Sequence, residues 1–263
     1  MPVNKNEMLI TSIQHLAIDD GAGLRTTIFL KGCPLKCPWC CNPETQLKKI
    51  EYYLDKQLCS KYKGSRFCFS CNDIMDLNKD CYFNAREKIG KYYTIQQLYE
   101  EVKHNGCKDI TFSGGEPLLQ QKILIELIKL LKLEDYNIAI ETSLAVSPSP
   151  EIIQYVDEWI IDLKFQYPIY TYIPSFIIPN ARFRIVIFTE IINNPTWFNW
   201  TIRKMKAFSI RKIELLCYHE LGKTKYNKLG RNYKKFTVPS LQDIIELQKK
   251  FHINDIQTIF LSI

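Results

Sequence analysis

The sequence predicts an α/β fold built around a parallel sheet and interrupted by a small cysteine-rich insert. Three observations carry this expectation. Short β-branched and apolar segments alternate with segments of helical periodicity from about Thr94 onward. Eight of the ten cysteines lie between Cys33 and Cys81, where that alternation is suspended. The 263 residues, 46% apolar and 24% charged, suffice for one large domain or one domain with an insert, and exclude disordered, collagen-like and coiled-coil classes.

Taken in order, Thr26–Lys31 (Thr-Thr-Ile-Phe-Leu-Lys) is β-branched and aromatic and stops at Gly32, as a strand does. From Cys33 to about Tyr93 the chain is polar and punctuated by Pro, Gly, Asn and Asp, which reads as a loop followed by a small insert. Thr94 then caps a helix to about Lys103, with Ile95, Leu98, Tyr99 and Val102 on one face. A strand at Asp109–Ser113 ends in Gly114-Gly115. Leu119–Lys132 follows as an amphipathic helix with Leu124, Leu127, Ile128 and Leu131 aligned. Strands are expected at Asn137–Thr142, Trp159–Leu163, Arg182–Phe188 and Lys212–Cys217, and a strand-like segment at Gln257–Ser262. Helices are expected at Pro150–Val156, Trp197–Phe208 and Leu241–Phe251. About six strands pair with helices, fewer than a complete eight-stranded barrel, so an open partial barrel and a doubly wound sheet fit equally at this level.

No run of apolar residues is long enough to span a membrane, and the first residues, Met-Pro-Val-Asn-Lys-Asn-Glu, lack a signal-peptide core, so the expected location is cytoplasmic. In that compartment clustered cysteines hold metal rather than disulfides. Cys107 and Cys217 stand apart and read as small buried residues. The net charge of +7 is concentrated between Thr201 and Phe236, where eleven basic residues face only Glu214 and Glu220. Such a stretch suits an acidic partner or is simply a solvated lysine-rich face.

The strongest motif is Cys33-x3-Cys37-x2-Cys40, which begins just after the Thr26–Lys31 strand. Three thiolates on a tight loop can hold three irons of a four-iron cubane and leave the fourth open, and an open position separates a catalytic metal site from a closed structural one. The competing reading is a zinc knuckle, for which this spacing lacks a fourth ligand. Cys41 is read as a non-ligand, because adjacent residues seldom point at one cluster. A second group, Cys59-x8-Cys68-x2-Cys71-x9-Cys81, has the four thiols that one closed site needs. A 4Fe-4S cluster is preferred there, with zinc as the alternative. Gly21-Ala22-Gly23-Leu24-Arg25-Thr26 precedes a strand instead of following one, which excludes a dinucleotide fingerprint; no Walker A motif or cysteine-protease dyad is found.

The run Asp19–Cys33, continuing through Cys40 to Asn42-Pro43-Glu44, resembles the start of the radical S-adenosylmethionine (SAM) enzymes that activate glycyl-radical enzymes, of which pyruvate formate-lyase activase is the best known. The resemblance recurs at Ser113–Pro117, Glu141-Thr142, Asp162–Lys164 and Tyr218–Gly230, spanning nearly the whole chain in order. It implies a partial (β/α)6 radical SAM barrel with a cysteine-rich iron–sulfur insert. Residues 1–40 would supply the barrel start and cluster loop, 41–93 the insert, and 94–263 the rest of the barrel.

The resemblance also implies that SAM binds the open iron of the Cys33, Cys37 and Cys40 cluster and yields a 5′-deoxyadenosyl radical. That radical would take a Cα hydrogen from a glycine of the partner enzyme, and no separate catalytic side chain is needed. The implied SAM contacts are Gly114, Gly115, Glu116 (to the ammonium group), Pro117, Glu141, Thr142, Asp162, Lys164, Arg184 (to the carboxylate) and His219. Trp39 either lines the adenine or packs. Asp162 and Lys164, two apart on a strand, also read as a plain charge pair. Expected partners are a glycyl-radical enzyme and a one-electron donor such as flavodoxin or ferredoxin, with neither membrane nor nucleic acid. The chain departs from the family between Lys164 and Arg184, which is short, at Thr189–Asn194, which replaces a Pro-Gly turn, and at Cys217, where proline is common. These departures bear on the substrate, so two alternatives stand. One is radical SAM chemistry on another peptide or nucleoside, and the other is a non-catalytic iron–sulfur electron carrier.

Overall fold

The computed structural model describes residues 6–18, 21–61, 63–64, 81–164 and 181–261. Cys68 and Cys71, and with them half of the second cysteine group, lie outside the described residues.

The strands are β1 (Glu7–Ala17), β2 (Arg25–Leu30), β3 (Glu51–Leu54), β4 (Arg86–Ile89), β5 (Lys91–Thr94), β6 (Asp109–Gly114), β7 (Asn137–Thr142), β8 (Glu158–Asp162), β9 (Ala181–Ile187), β10 (Lys212–Cys217) and β11 (Gln257–Leu261). Nine of them form one sheet in the order β11-β10-β9-β8-β7-β6-β2-β1-β5. Pairing is parallel from β2 through β6 to β11, while β1 runs antiparallel to both β2 and β5. The strand order does not reverse within the parallel region, so the chain is a partial barrel and not a doubly wound sheet. The helices α1 (Ile95–Asn105), α2 (Gln121–Lys132), α3 (Pro150–Ile153), α4 (Thr189–Ile192), α5 (Pro195–Ala207), α6 (Lys223–Lys228) and α7 (Leu241–Ile253) lie between strands.

The expected strands from Thr26 onward are all present, within one or two residues of their expected bounds. Thr94 caps α1 in a reciprocal capping box with Gln97. β1 was not anticipated because its pairing with β2 shifts register twice, between Ile10 and Ser12 and between Gln14 and Ala17, which erases the period-two signal. β5 pairs with β1 through Tyr93↔Met8, so the main sheet extends into residues 91–93, which the sequence reading assigned to the insert. Within that insert, β3 and β4 form a separate two-stranded sheet.

Alternation along the strands divides the sheet into two faces. Ile110 and Phe112 on β6, Ile138 and Ile140 on β7, and Ile185 on β9 are almost wholly buried, as are Leu124, Leu127, Ile128 and Leu131 of α2, and all belong to one core cluster. The intervening positions Thr111, Ser113, Glu141, Asp162, Arg182, Arg184 and Glu214 are joined to one another or to Arg25 and Lys164 by polar contacts. The barrel interior is therefore a hydrogen-bonded layer of charge, which is where parallel α/β barrels build sites.

Candidate active site

β2 hands the chain to the cluster loop at Gly32, whose φ of +117° is a conformation that side-chain-bearing residues rarely adopt. The loop leaves and returns to one point: Gly32 N donates to Thr45 O at 2.7 Å and Cys33 N to Gln46 O at 2.8 Å. A turn closed by Cys40 N to Cys37 O at 3.1 Å folds the middle of the loop. Between this loop and the C-terminal ends of the parallel strands lies a cavity of about 180 Å3. Cys33, Cys37 and Cys40 all line it, as do Trp39 and Cys41. Burial pushes the Cys33 thiol up to about 11 and the Cys40 thiol up to about 12, and the neighbouring Cys37 sulfur adds to both.

Three thiols set around one cavity, two of them (Cys33 and Cys40) resisting ionisation, are a donor set that a cationic metal cluster would convert to thiolates. Among the described residues no group of three or more His, Cys, Asp or Glu is already gathered in the geometry of a metal-ion site. The chemistry of this donor set, three thiols of one short loop lining one cavity, fits a 4Fe-4S cluster.

The strand ends supply the opposite wall. Gly114, Gly115, Glu141, Thr142, Asp162, Lys164 and His219 line the cavity with the cysteines, so the structure gathers most of the residues singled out from sequence. The two glycines serve a close approach. A Cβ on Gly114 would stand 2.5 Å from Leu30 O at the end of β2, and one on Gly115 would stand 2.2 Å from Gly32 O, so the end of β6 meets β2 and the cysteine loop backbone to backbone. Glu141 accepts from Ser113 Oγ at 2.6 Å. Asp162 and Lys164 are in direct contact, so the charge-pair reading holds alongside a place in the wall. Burial opposes the Lys164 charge, but Asp162 and the Cys37 sulfur outweigh it and hold the ammonium above its ordinary range. His219 is pushed below the usual imidazole value by burial and by Lys225.

Glu116, Pro117 and Arg184 are not on the cavity surface. Glu116 is fully buried and accepts from Thr142 Oγ1 at 2.6 Å, Ser143 Oγ at 2.7 Å and Ser143 N at 3.1 Å. It braces the start of the loop after β7. Arg184 lies one layer beneath the floor, bonded to Glu214. Trp39 packs against Phe188 and Phe236, with ring centroids at 5.5 and 6.3 Å, while keeping an edge on the cavity.

Comparison with known proteins bears on this geometry. The family model described as a 4Fe-4S single cluster domain matches residues 19–167, more than half of the chain. The 4-hydroxyphenylacetate decarboxylase activating enzyme of Clostridioides difficile (strain 630) is 30% identical, covering 97% of this chain and 93% of that one. The chain belongs to the radical SAM activating enzymes of glycyl-radical enzymes. Pyruvate formate-lyase 2-activating enzyme of Escherichia coli (strain K12) is 27% identical over 91% of this chain and 88% of its own length. In fold, the chain is similar to QueE from Escherichia coli, with a TM-score of 0.57 at 15% identity, covering 98% and 95% of the two chains.

In this activating-enzyme relative the basic segment works inward. Lys225 Nζ donates to Glu44 Oε1 and Asn42 Oδ1, both at 2.7 Å, and Arg231 bonds Glu51 and the Pro43 carbonyl. From the opposite side the fully buried Lys31 reaches Glu51 Oε2 at 2.6 Å and the Glu44 carbonyl. Gly222 lets the same segment approach the cluster loop, since a Cβ there would be 3.0 Å from Cys40 O. Lys223 and Lys235 pair with Glu220. The Tyr-His-x-x-Gly-x-x-Lys-Tyr run thus clamps the Asn-Pro-Glu run. Sequence reasoning noted both runs but not their pairing, and it passed over Lys31, Arg231 and Ser113. Lys31 and Ser113 fall inside the family-like runs Asp19–Cys33 and Ser113–Pro117, and Arg231 inside the basic stretch, but nothing in those patterns gave any of the three a role of its own. Cys217, read as a buried bystander, lines the cavity. Among the described residues, no helix is long and apolar enough to cross a membrane.

Proposed function

We propose that Cys33, Cys37 and Cys40 hold a 4Fe-4S cluster whose remaining iron takes SAM, and that the protein activates a glycyl-radical enzyme by removing a Cα hydrogen from one of its glycines. The observation that carries this reading is that three cysteines of one loop and the C-terminal ends of β6, β7 and β8 enclose a single cavity. When bound, cluster and SAM supply a 5′-deoxyadenosyl radical, chemistry that belongs to the cofactors. The chain's own residues bind, orient and shield. The Gly114-Gly115 backbone brings the end of β6 close against the cysteine loop at the cavity wall, and the Glu141, Thr142 and Asp162 oxygens accept from ammonium and hydroxyl groups. Lys164 and His219 complete the wall, Trp39 covers the apolar side, and Glu116 with Pro117 stiffens the wall from behind.

Support for the glycyl-radical partner comes from the relatives, which are named for activating 4-hydroxyphenylacetate decarboxylase, trans-4-hydroxy-L-proline dehydratase and (2S)-3-sulfopropanediol dehydratase. The reading extends to a cytoplasmic protein that receives single electrons from a flavodoxin- or ferredoxin-like donor. Cys59, Cys68, Cys71 and Cys81 hold a second 4Fe-4S cluster in this reading, with zinc as the competing occupant; Cys59 is buried and Cys81 half-buried.

The test is anaerobic reconstitution with iron and sulfide followed by reduction with SAM present. The expected product is 5′-deoxyadenosine by chromatography, and a persistent glycyl radical by electron paramagnetic resonance once the partner is added. A fully loaded protein that yields no 5′-deoxyadenosine overturns the reading. Cleavage without a radical on any glycyl-radical enzyme moves the substrate to another peptide or a nucleoside.

A further inference from the structure

Beneath the cavity floor, carboxylates and guanidinium groups alternate along the barrel interior. Glu214 and Arg184 are register partners on the adjacent parallel strands β10 and β9, and both side chains are 8% exposed. Glu214 uses both oxygens: Oε1 accepts from Arg182 Nε and Oε2 from Arg184 Nε, each at 2.8 Å. Arg182 reaches on to Glu158 Oε1 at 3.4 Å, so it anchors the far side of the Glu214 carboxylate. With its Nε committed, Arg184 turns Nη1 toward Glu141 Oε1 at 3.5 Å, while Glu141 Oε2 is held by Ser113 Oγ. Glu141 is the member of this chain that lines the cavity, and Arg184 and Glu214 do not.

We propose that Glu214 is a positioning residue: acting through Arg184, it holds the Glu141 carboxylate at the cavity wall in the orientation that receives the ligand. The inference rests on the reading of the cavity as a SAM site, and it makes Arg184 a support for Glu141 instead of a direct contact to the ligand carboxylate. A carboxylate fastened at both oxygens costs no ordering when the ligand arrives, and a buried charge bridged on two sides is worth more than a surface pair. A glutamine at 214 can accept from one arginine but turns its amide nitrogen toward the other, so one bridge is lost.

The experiment measures SAM binding by calorimetry on the reconstituted, oxidised protein, where no turnover occurs. Glu214→Gln should weaken binding about tenfold, the scale of one charge-assisted hydrogen bond, and should weaken it no further when introduced into Glu141→Gln. Arg184→Lys, a second route to the same break, should behave alike, and it should weaken SAM and decarboxylated SAM equally. Equal losses from Glu214→Gln in both backgrounds, or no loss, would overturn the proposal, since a general structural role is additive. A loss in Arg184→Lys confined to SAM itself would also overturn it, because that pattern means direct contact with the ligand carboxylate. Wild-type protein that binds no SAM would bring down the parent reading, and this one with it.

Discussion

Substituting Gly115 by alanine should break the joint between β6 and the cluster loop. The added Cβ would lie 2.2 Å from Gly32 O, 2.7 Å from Gly32 C and 2.8 Å from Thr45 O, whereas ordinary contact begins at 3.4 Å. All three neighbours are backbone, so no side chain can swing aside, and the strand end and loop must part by about 1 Å. That displacement carries Glu116 N away from Gly32 O (2.8 Å) and Gly115 N away from Leu30 O (2.9 Å), beyond hydrogen-bonding reach. Two buried backbone bonds left unmade cost about 3 kcal/mol together. In a chain of this size that lowers the melting temperature by about 6–12 °C. Gly230→Ala is the comparison: its φ is +65° with nothing within 4 Å of the new Cβ, so it carries backbone strain alone. About 1 kcal/mol, or about 2–4 °C, is expected there. Scanning fluorimetry of both variants, with iron content after anaerobic reconstitution, tests the argument. Gly115→Ala protein that melts with the wild type and loads a full complement of iron would refute it.

Three further outcomes are expected. Cys33→Ala, Cys37→Ala and Cys40→Ala should each lose the iron and visible absorbance of the cavity cluster, whereas Cys41→Ala should retain both by metal analysis. Lys225→Met should cost about 2 kcal/mol, because the Glu44 carboxylate it meets is only 9% exposed while Lys225 itself is 35% exposed. Chemical denaturation should show a smaller loss in a Glu44→Gln background, and an undiminished loss there would remove the clamp from the explanation. Glu116 is held above the ordinary carboxyl value of 4.5 by burial, against the pull of hydrogen bonds from Thr142 and Ser143. A carboxyl raised on folding stabilises below 4.5 and loses that contribution as pH rises through its folded value. The wild-type melting temperature should therefore fall relative to Glu116→Gln as pH climbs from about 4.5 to 7, and a parallel pair of curves would contradict this.

Much of the architecture was legible because it is local. The capping box at Thr94, the stripe on α2 and the β-branched strand segments are patterns of neighbours within one or two turns, and local sterics decide them. The bent β1 was not legible, since its register shifts conceal the alternation that marks a strand. The cysteine spacing was legible as a loop that brings three thiols to one cavity, because so short an intervening chain keeps them near one another.

Which charged residue meets which cannot be read in the same way. Glu44 and Lys225 are 181 residues apart, and Glu141 and Arg184 are 43 apart. The family resemblance placed Glu116 and Arg184 among the ligand contacts. In the folded chain the pleat and the register of neighbouring strands turn Arg184 toward Glu214, and the loop after β7 closes over Glu116. Composition and spacing specify the elements of this protein and the thiol donor set of its cysteine loop. The ordering of its charges into wall, support and clamp arises only when the sheet curls and brings distant strands within bonding distance, because a buried charge must find its partner wherever the fold puts one.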